Sequence, residues 1–307
     1  MATGRAFQAI TAEPWAIQAD WLRVMVAVSL RAETPERARA RELAGDGQRT
    51  RRDLNAQLDT VYLGAAATRL DGGSGRAWLK DGVAVIPMFG PIFPRANMIT
   101  DFSGGTTLTD MQRDLEAAMS NDAVNCIVYA VDSPGGAVSG IQAHADEIAA
   151  ANKMKPVCAF VMGTAASAAY WLATAAGRIA MDRTGVVGSI GVVVAVPKQV
   201  QPDGNGDMTV EVVSSNAPQK RVDPTTDDGL AEIRNGLDAL EAVFIGDVAA
   251  RRGVKVDAVK SDFGQGGVVV GADAVTRGMA DALTSFSAEL ARMARVGRAR
   301  KSAPARQ

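Results

Sequence analysis

Only two cysteines and one histidine occur in 307 residues. Cys126 and Cys158 each lie inside an apolar run, which excludes a disulfide framework and a thiolate metal site and reads as two small core residues in a reducing compartment. No metal or cofactor is expected. An excess of charge is also missing: 33 Lys and Arg against 34 Asp and Glu leave a formal net charge of −1, so a chain-wide basic surface for nucleic acid is excluded. Long apolar runs are absent as well. The opening MATGRAFQAITAEPWAIQADWLRVMVAVSLRAE has no charged head, extended apolar core and small-residue cleavage site in succession. It is expected to be neither a secretion signal nor a membrane span, and the chain is expected to be soluble and cytoplasmic.

What is present is apolar substance. Hydrophobic residues make up 47% of the chain, enough for one large or two ordinary domains with a true core. Residues 1–80 read as a mostly helical N-terminal region, with Trp15, Ile17, Trp21, Leu22, Met25 and Val26 at helical spacing, followed by a charged segment and a glycine-rich linker. From Asp81 the pattern becomes alternation. VAVIPMFGPI, VNCIVYAVD and PVCAFV read as buried strands, separated by amphipathic helices in TLTDMQRDLEAAM, where Thr109 and Gln112 are spaced as a capping box, and in SGIQAHADEIAAANK. Continuous apolar strands between such helices predict an α/β architecture with a parallel sheet covered on both faces. GVVVAVPKQV and MTVEVVSS read as two further strands joined by a hairpin turn in PDGNGD, whose likeness to a calcium loop fails for want of the turn glycine and of flanking helices. TTDDGLAEIRNGLDALEAVFIGDVAARRG predicts a long helix buried along Ile233, Leu237, Leu240, Phe244 and Val248. A closing helix and strand end the domain near residue 285, and residues 286–307 read as a basic, flexible tail.

Sites in parallel α/β sheets lie beyond the carboxyl ends of the strands. Two segments there could carry chemistry. Gly163-Thr164 leads into a small-residue turn presenting Ser167 at the head of an apolar helix, and Ser167 reads either as a nucleophile or as part of a buried Ala/Ser helix packed closely on the sheet. The loop Asp132-Ser133-Pro134-Gly135-Gly136 can aim backbone N–H groups at an oxyanion, or can be a tight turn. The one histidine, His144, falls mid-helix before Ser167 and reads as a helix surface or groove residue, so the base for a Ser167 nucleophile is expected to be a lysine. Lys220, after a strand end and the loop SSNAPQ, is the first choice and Lys198 the second, while Lys153 and Lys155 precede a strand at the wrong edge. A lysine base must be uncharged: its pKa has to fall from about 10.4 by about three units, worth about 4 kcal/mol, which an apolar site can supply. That predicts a dry pocket around Lys220, with the hydroxyl of Ser189 to hold its amine, unless Ser189 is only a turn residue.

Together, Asp132-Ser133-Pro134-Gly135-Gly136, Ala165-Ala166-Ser167-Ala168-Ala169-Tyr170-Trp171, Val187-Gly188-Ser189-Ile190-Gly191-Val192 and Lys220 resemble, in order and spacing, the signal peptide peptidase A family of serine-lysine peptidases, and most nearly its phage protein C branch of capsid-assembly proteases. The segment Gly271-Ala272-Asp273-Ala274 with Gly278-Met279-Ala280-Asp281 is similar to that family's closing helix and strand. Two departures stand out: Ala168-Ala169 replace glycines, and Ser215-Asn216-Ala217-Pro218-Gln219-Lys220 replaces the commoner Ser-Gly-Ala-His-Lys.

The resemblance covers residues 81–285. It implies a Clp protease/crotonase-like β-α superhelix of repeated ββα units carrying a helical N-terminal extension. Ser167 would be the nucleophile, Lys220 the base, Ser189 the lysine's partner, and Gly135 or Gly136 part of the oxyanion hole. It further implies a homo-oligomeric ring acting on scaffold, capsid or portal proteins in the host cytoplasm or the phage prohead. The alternatives are a housekeeping peptidase degrading signal peptides and a catalytically inert structural capsid component.

Overall fold

The computed structural model describes residues 10–11, 13–30, 63–64, 66–96, 105–196, 198 and 213–302. In chain order these form β1 (Trp15–Ile17), α1 (Ala19–Leu30), β2 (Thr68–Arg69), β3 (Trp78–Lys80), β4 (Val83–Phe89), β5 (Ile92–Phe93), β6 (Thr106–Thr107), α2 (Leu108–Ser120), β7 (Cys126–Ser133), β8 (Gly135–Ala137), α3 (Ile141–Met154), β9 (Val157–Ala166) and α4 (Ala168–Thr174). They continue as β10 (Arg178–Met181), β11 (Val186–Gly188), a 3-10 turn (Pro218–Lys220), α5 (Asp227–Arg252), α6 (Val256–Asp262), β12 (Val268–Val270), α7 (Gly271–Thr276), β13 (Ala282–Leu283) and α8 (Phe286–Ser302).

The expected α/β architecture is present. β4, β7 and β9 run parallel at the centre of the main sheet, whose order is β12-β11-β9-β7-β4-β3-β2. β9 is long enough to serve two parallel neighbours: Cys158–Val161 pair with β10 and Thr164–Ala166 pair with β11. Side chains alternate between the two faces with the strand period of two. Ile127, Tyr129, Val131, Val157, Ala159 and Val161 enter the larger core with α2 to α5. Cys126, Val128, Ala130, Cys158 and Phe160 enter a second core on the other side.

Helix ends follow local chemistry. α2 is capped by Thr107, whose hydroxyl accepts from Asp110 N, so the cap lies two residues before the expected Thr109; the Thr109 hydroxyl donates instead to Pro94 O. α5 is capped by Thr226, carries Asp227 and Asp228 in its first turn and Arg251 and Arg252 in its last, and stops at Gly253 with φ 67°. Only the C-terminal half of its expected stripe is buried, at Phe244 and Val248, while Ile233, Leu237 and Leu240 are half-buried. Trp171 explains where burial begins: its ring stacks on Phe244 at 4.4 Å and its indole N–H donates to Asp247 at 2.8 Å.

Several segments depart from expectation. Trp15 and Ile17 lie on a strand, not on the helical stripe. Pro14 favours an extended residue before it, and Trp-Ala-Ile alternates with period two. GVVVAVPKQV does not form a strand over its described residues and contributes only a bridge from Val193 to Trp15. The PDGNGD hairpin and most of MTVEVVSS lie outside the described residues. The basic segment expected as a flexible tail is the helix α8. Phe286, Leu290, Met293, Ala294 and Gly297 share one buried face among the arginines, and Phe286 meets Phe160 edge to face at 5.3 Å. His144 is fully buried rather than at the helix surface, with Nδ1 2.8 Å from Glu147 Oε2.

Candidate active site

β9 ends at Ala166 and α4 begins at Ala168, so the whole change of direction falls on Ser167. Its backbone sits at φ 53°, ψ −120°, a region that non-glycine residues occupy only when their surroundings impose it, at a cost of about 1–3 kcal/mol. Three hydrogen bonds impose it here. Ser167 N donates to Gly188 O at 2.7 Å, Trp171 N donates to Ser167 O at 2.9 Å, and the Ser167 hydroxyl donates to Gly191 O at 3.4 Å. The side chain is fully buried.

Two loops close around this serine. The pairing of Gly188 with Ala166 sets Ser189 beside Ser167, each being the next residue along a parallel strand. Ser189 is half-buried, shares the unusual φ of 53°, and its N–H donates to Gly267 O at 2.6 Å. On the other side Gly135, at φ 102°, packs so closely that a methyl group there would overlap Ala16 O and lie 2.9 Å from Ala166 O and 3.0 Å from Ser167 Cβ. A methyl on Gly136 would overlap Ile92 O. The Gly135 N–H donates to the Ser133 hydroxyl at 3.2 Å, and that hydroxyl donates to Gly90 O at 2.7 Å. Asp132, one residue earlier, accepts from Thr164 N at 2.9 Å, and burial pushes its carboxyl above the usual range.

Ser167, Ser189, Gly135 and Gly136 are therefore brought to one end of β7, β9 and β11, at the carboxyl edge where the sequence placed them. The lysines are not. Lys220 is exposed at the end of the 3-10 turn, with its backbone N–H on Ala217 O and no side-chain partner among the described residues. The dry pocket expected around it is absent there. Lys198 holds Asp223 at 2.7 Å and Thr225 at 2.7 Å instead, and Lys155 donates to the carbonyls of Ala118 and Asn121. The site also contains something the sequence did not announce. β1 lies against Gly135–Ala137 on one side and Val193 on the other. The alternation in Trp15-Ala16-Ile17 was the available signal, hidden within a helical stripe.

With this geometry in view, the comparisons with known proteins fall into place. Residues 149–299 match the family model described as Peptidase family S49. The chain is 32% identical over 219 residues to the head-tail preconnector protein GP5 of Enterobacteria phage P21, covering 70% of this chain and 43% of that protein. It is 29% identical to capsid assembly protease C of Escherichia phage lambda, covering 73% and 51%, and 30% identical to Protease 4 of Haemophilus influenzae, covering 60% and 30%. The chain thus spans about half the length, or less, of these curated relatives. Among solved structures it is similar to the 1510-N membrane-bound stomatin-specific protease crystallised with a substrate peptide, at 16% identity and a TM-score of 0.42, covering 68% of this chain and 78% of that one. Residues 149–299 are a Peptidase family S49 segment, and the chain is a homologue of phage capsid assembly proteases and of bacterial Protease 4.

Proposed function

We propose that this chain is a serine endopeptidase that cleaves scaffold, capsid or portal proteins during maturation of a phage or prophage head, working in the host cytoplasm or inside the prohead as a homo-oligomeric ring. The observation that carries the reading is the backbone of Ser167, held at φ 53° and ψ −120° between β9 and α4 within the family segment. A hydroxyl on such a turn is fixed relative to the sheet edge, which is what attack on a positioned carbonyl requires.

In this mechanism the Ser167 hydroxyl oxygen adds to the carbonyl carbon of the scissile peptide bond, and its proton passes to the uncharged amine of Lys220. The oxyanion is held by backbone N–H groups of the Gly135-Gly136 strand. The lysine returns the proton to the leaving amine, and water then hydrolyses the acyl-enzyme by the same route in reverse. Ser189 orients the amine. No step needs a metal or cofactor. The base role requires the Lys220 amine to leave solvent and reach Ser167. Its exposure favours a second reading, in which the chain is an inert structural capsid component.

A fluorophosphonate probe and a coexpressed scaffold substrate separate the two. The unmodified chain should acylate at Ser167 and process the substrate, while Ser167→Ala and Lys220→Ala each abolish processing and Lys198→Ala retains it. Processing retained in Lys220→Ala would remove that lysine from the mechanism, and a chain that never acylates would be the inert component.

A further inference from the structure

The strand β1 occupies the space directly over the proposed nucleophile. Trp15 N donates to Val193 O and Val193 N donates to Trp15 O, both at 2.8 Å. On its other edge β1 runs antiparallel to β8, with Trp15 opposite Ala137, Ala16 opposite Gly136 and Ile17 opposite Gly135. The ladder is continued at both ends by Gln18 N to Pro134 O at 3.0 Å and Val138 N to Pro14 O at 3.2 Å. Hydrogen-bonded pairs alternate along an antiparallel ladder, so these two bonds make Ala16 and Gly136 the hydrogen-bonded pair between them. Both walls of this groove are walls of the Ser167 site. Ser167 bonds to Gly191 O, and Ala16 O and Ser167 Cβ both press on the space beside Gly135.

The side chains divide by face. Ala16 is fully buried in the larger core together with Ala165 and Ala168, the immediate surroundings of Ser167. Trp15 and Ile17 point the other way, into a small separate core with Ile10, Leu22, Met25, Phe93 and Ala137. There the Trp15 ring meets Phe93 edge to face at 5.8 Å, and its indole N–H donates to Ile10 O at 2.7 Å. A three-residue strand bonded on both edges through its backbone, with a small residue toward the serine and large apolar ones away from it, has the form of an extended peptide added to a sheet.

We propose that Trp15–Ile17 is the resident occupant of the peptide-binding groove: a segment of this chain that holds the place of a substrate strand and covers Ser167 until displaced. The groove accordingly takes extended peptides with a small residue over Ser167 between two large apolar ones. The inference rests on the peptidase reading above and extends it to substrate class and control.

The test uses the full chain and the rate of Ser167 acylation by a fluorophosphonate. Trp15→Ala removes the anchor in the small core, and Gln18→Pro removes the bond to Pro134 O without altering that core. Each should acylate about tenfold or more faster than the unmodified chain, a shift in favour of the open groove. A synthetic peptide of residues 10–20 should slow both back toward the unmodified rate, and the same peptide carrying Ala16→Trp should not. Equal rates in all three chains, with far-UV circular dichroism unchanged, overturn the cover while leaving the peptidase reading intact. Absence of acylation in every chain, including those with the strand loosened, overturns both.

Discussion

Replacing Gly135 by alanine tests whether the contact between β8 and the serine turn is as close as it looks. Two costs add at this position. The backbone φ of 102° is one that side-chain-bearing residues avoid, at about 1–3 kcal/mol. The new methyl would overlap Ala16 O and approach Ala166 O at 2.9 Å and Ser167 Cβ at 3.0 Å. Two of these are backbone atoms of paired strands, which cannot rotate aside, so overpacking adds a further 1–3 kcal/mol or so. The total is about 3 kcal/mol or more. Gly253 supplies the control: it has φ 67° but nothing within 4 Å of an added methyl, so Gly253→Ala should cost only about 1 kcal/mol. The difference of about 2 kcal/mol corresponds to a gap of about 4–8 °C between the two melting temperatures, read by circular dichroism. Gly135→Ala should also acylate at Ser167 more slowly, because β8 must move away from the serine to admit the methyl. If both variants melt together and label alike, the proximity of Gly135 to Ser167 on which the site is built is wrong.

Two further outcomes follow from buried charge. Glu289 is almost fully buried and accepts from Arg178 at 3.0 Å and Arg292 at 2.7 Å. Glu289→Ala leaves two guanidinium groups without their carboxylate beneath α8 and should cost about 2–3 kcal/mol, the lower end for a broken buried pair because both arginines are partly exposed. A shifted urea midpoint with an unchanged slope is the expected signature. For His144, burial is the larger influence and lowers the imidazole below its usual range against the opposing pull of the Glu147 carboxylate. The folded state therefore binds a proton less readily than the unfolded chain, so stability is complete above about pH 6.5 and is lost as the pH falls below it. His144→Gln should flatten that slope in thermal melts between pH 7 and 5, and an unchanged slope would exonerate the histidine.

The parts of the molecule that read well from sequence are those whose information is local. β4, β7 and β9 are buried on both faces and so appear as uninterrupted apolar runs, and Ser167 is flagged by the small residues that let its turn pack. The parts that read poorly depend on a distant partner. The apolar face of α8 is diluted by arginines along Phe286–Ser302 and becomes visible only against Phe160 and Cys158, while β1 is three residues whose register is set by Gly135–Ala137, more than a hundred positions away. The exposure of Lys220 was likewise not written in its loop motif. This bears on how the paired glycines are understood. From sequence they suggest N–H groups freed for an oxyanion, yet Gly135 and Gly136 are already required by packing, since a methyl on either would strike the carbonyl of a flanking strand. Their presence alone therefore argues less for catalysis than the backbone of Ser167 does. No packing need forces a side-chain-bearing residue to φ 53° where glycine would sit without strain, so the strain at Ser167 has a purpose only if its hydroxyl does.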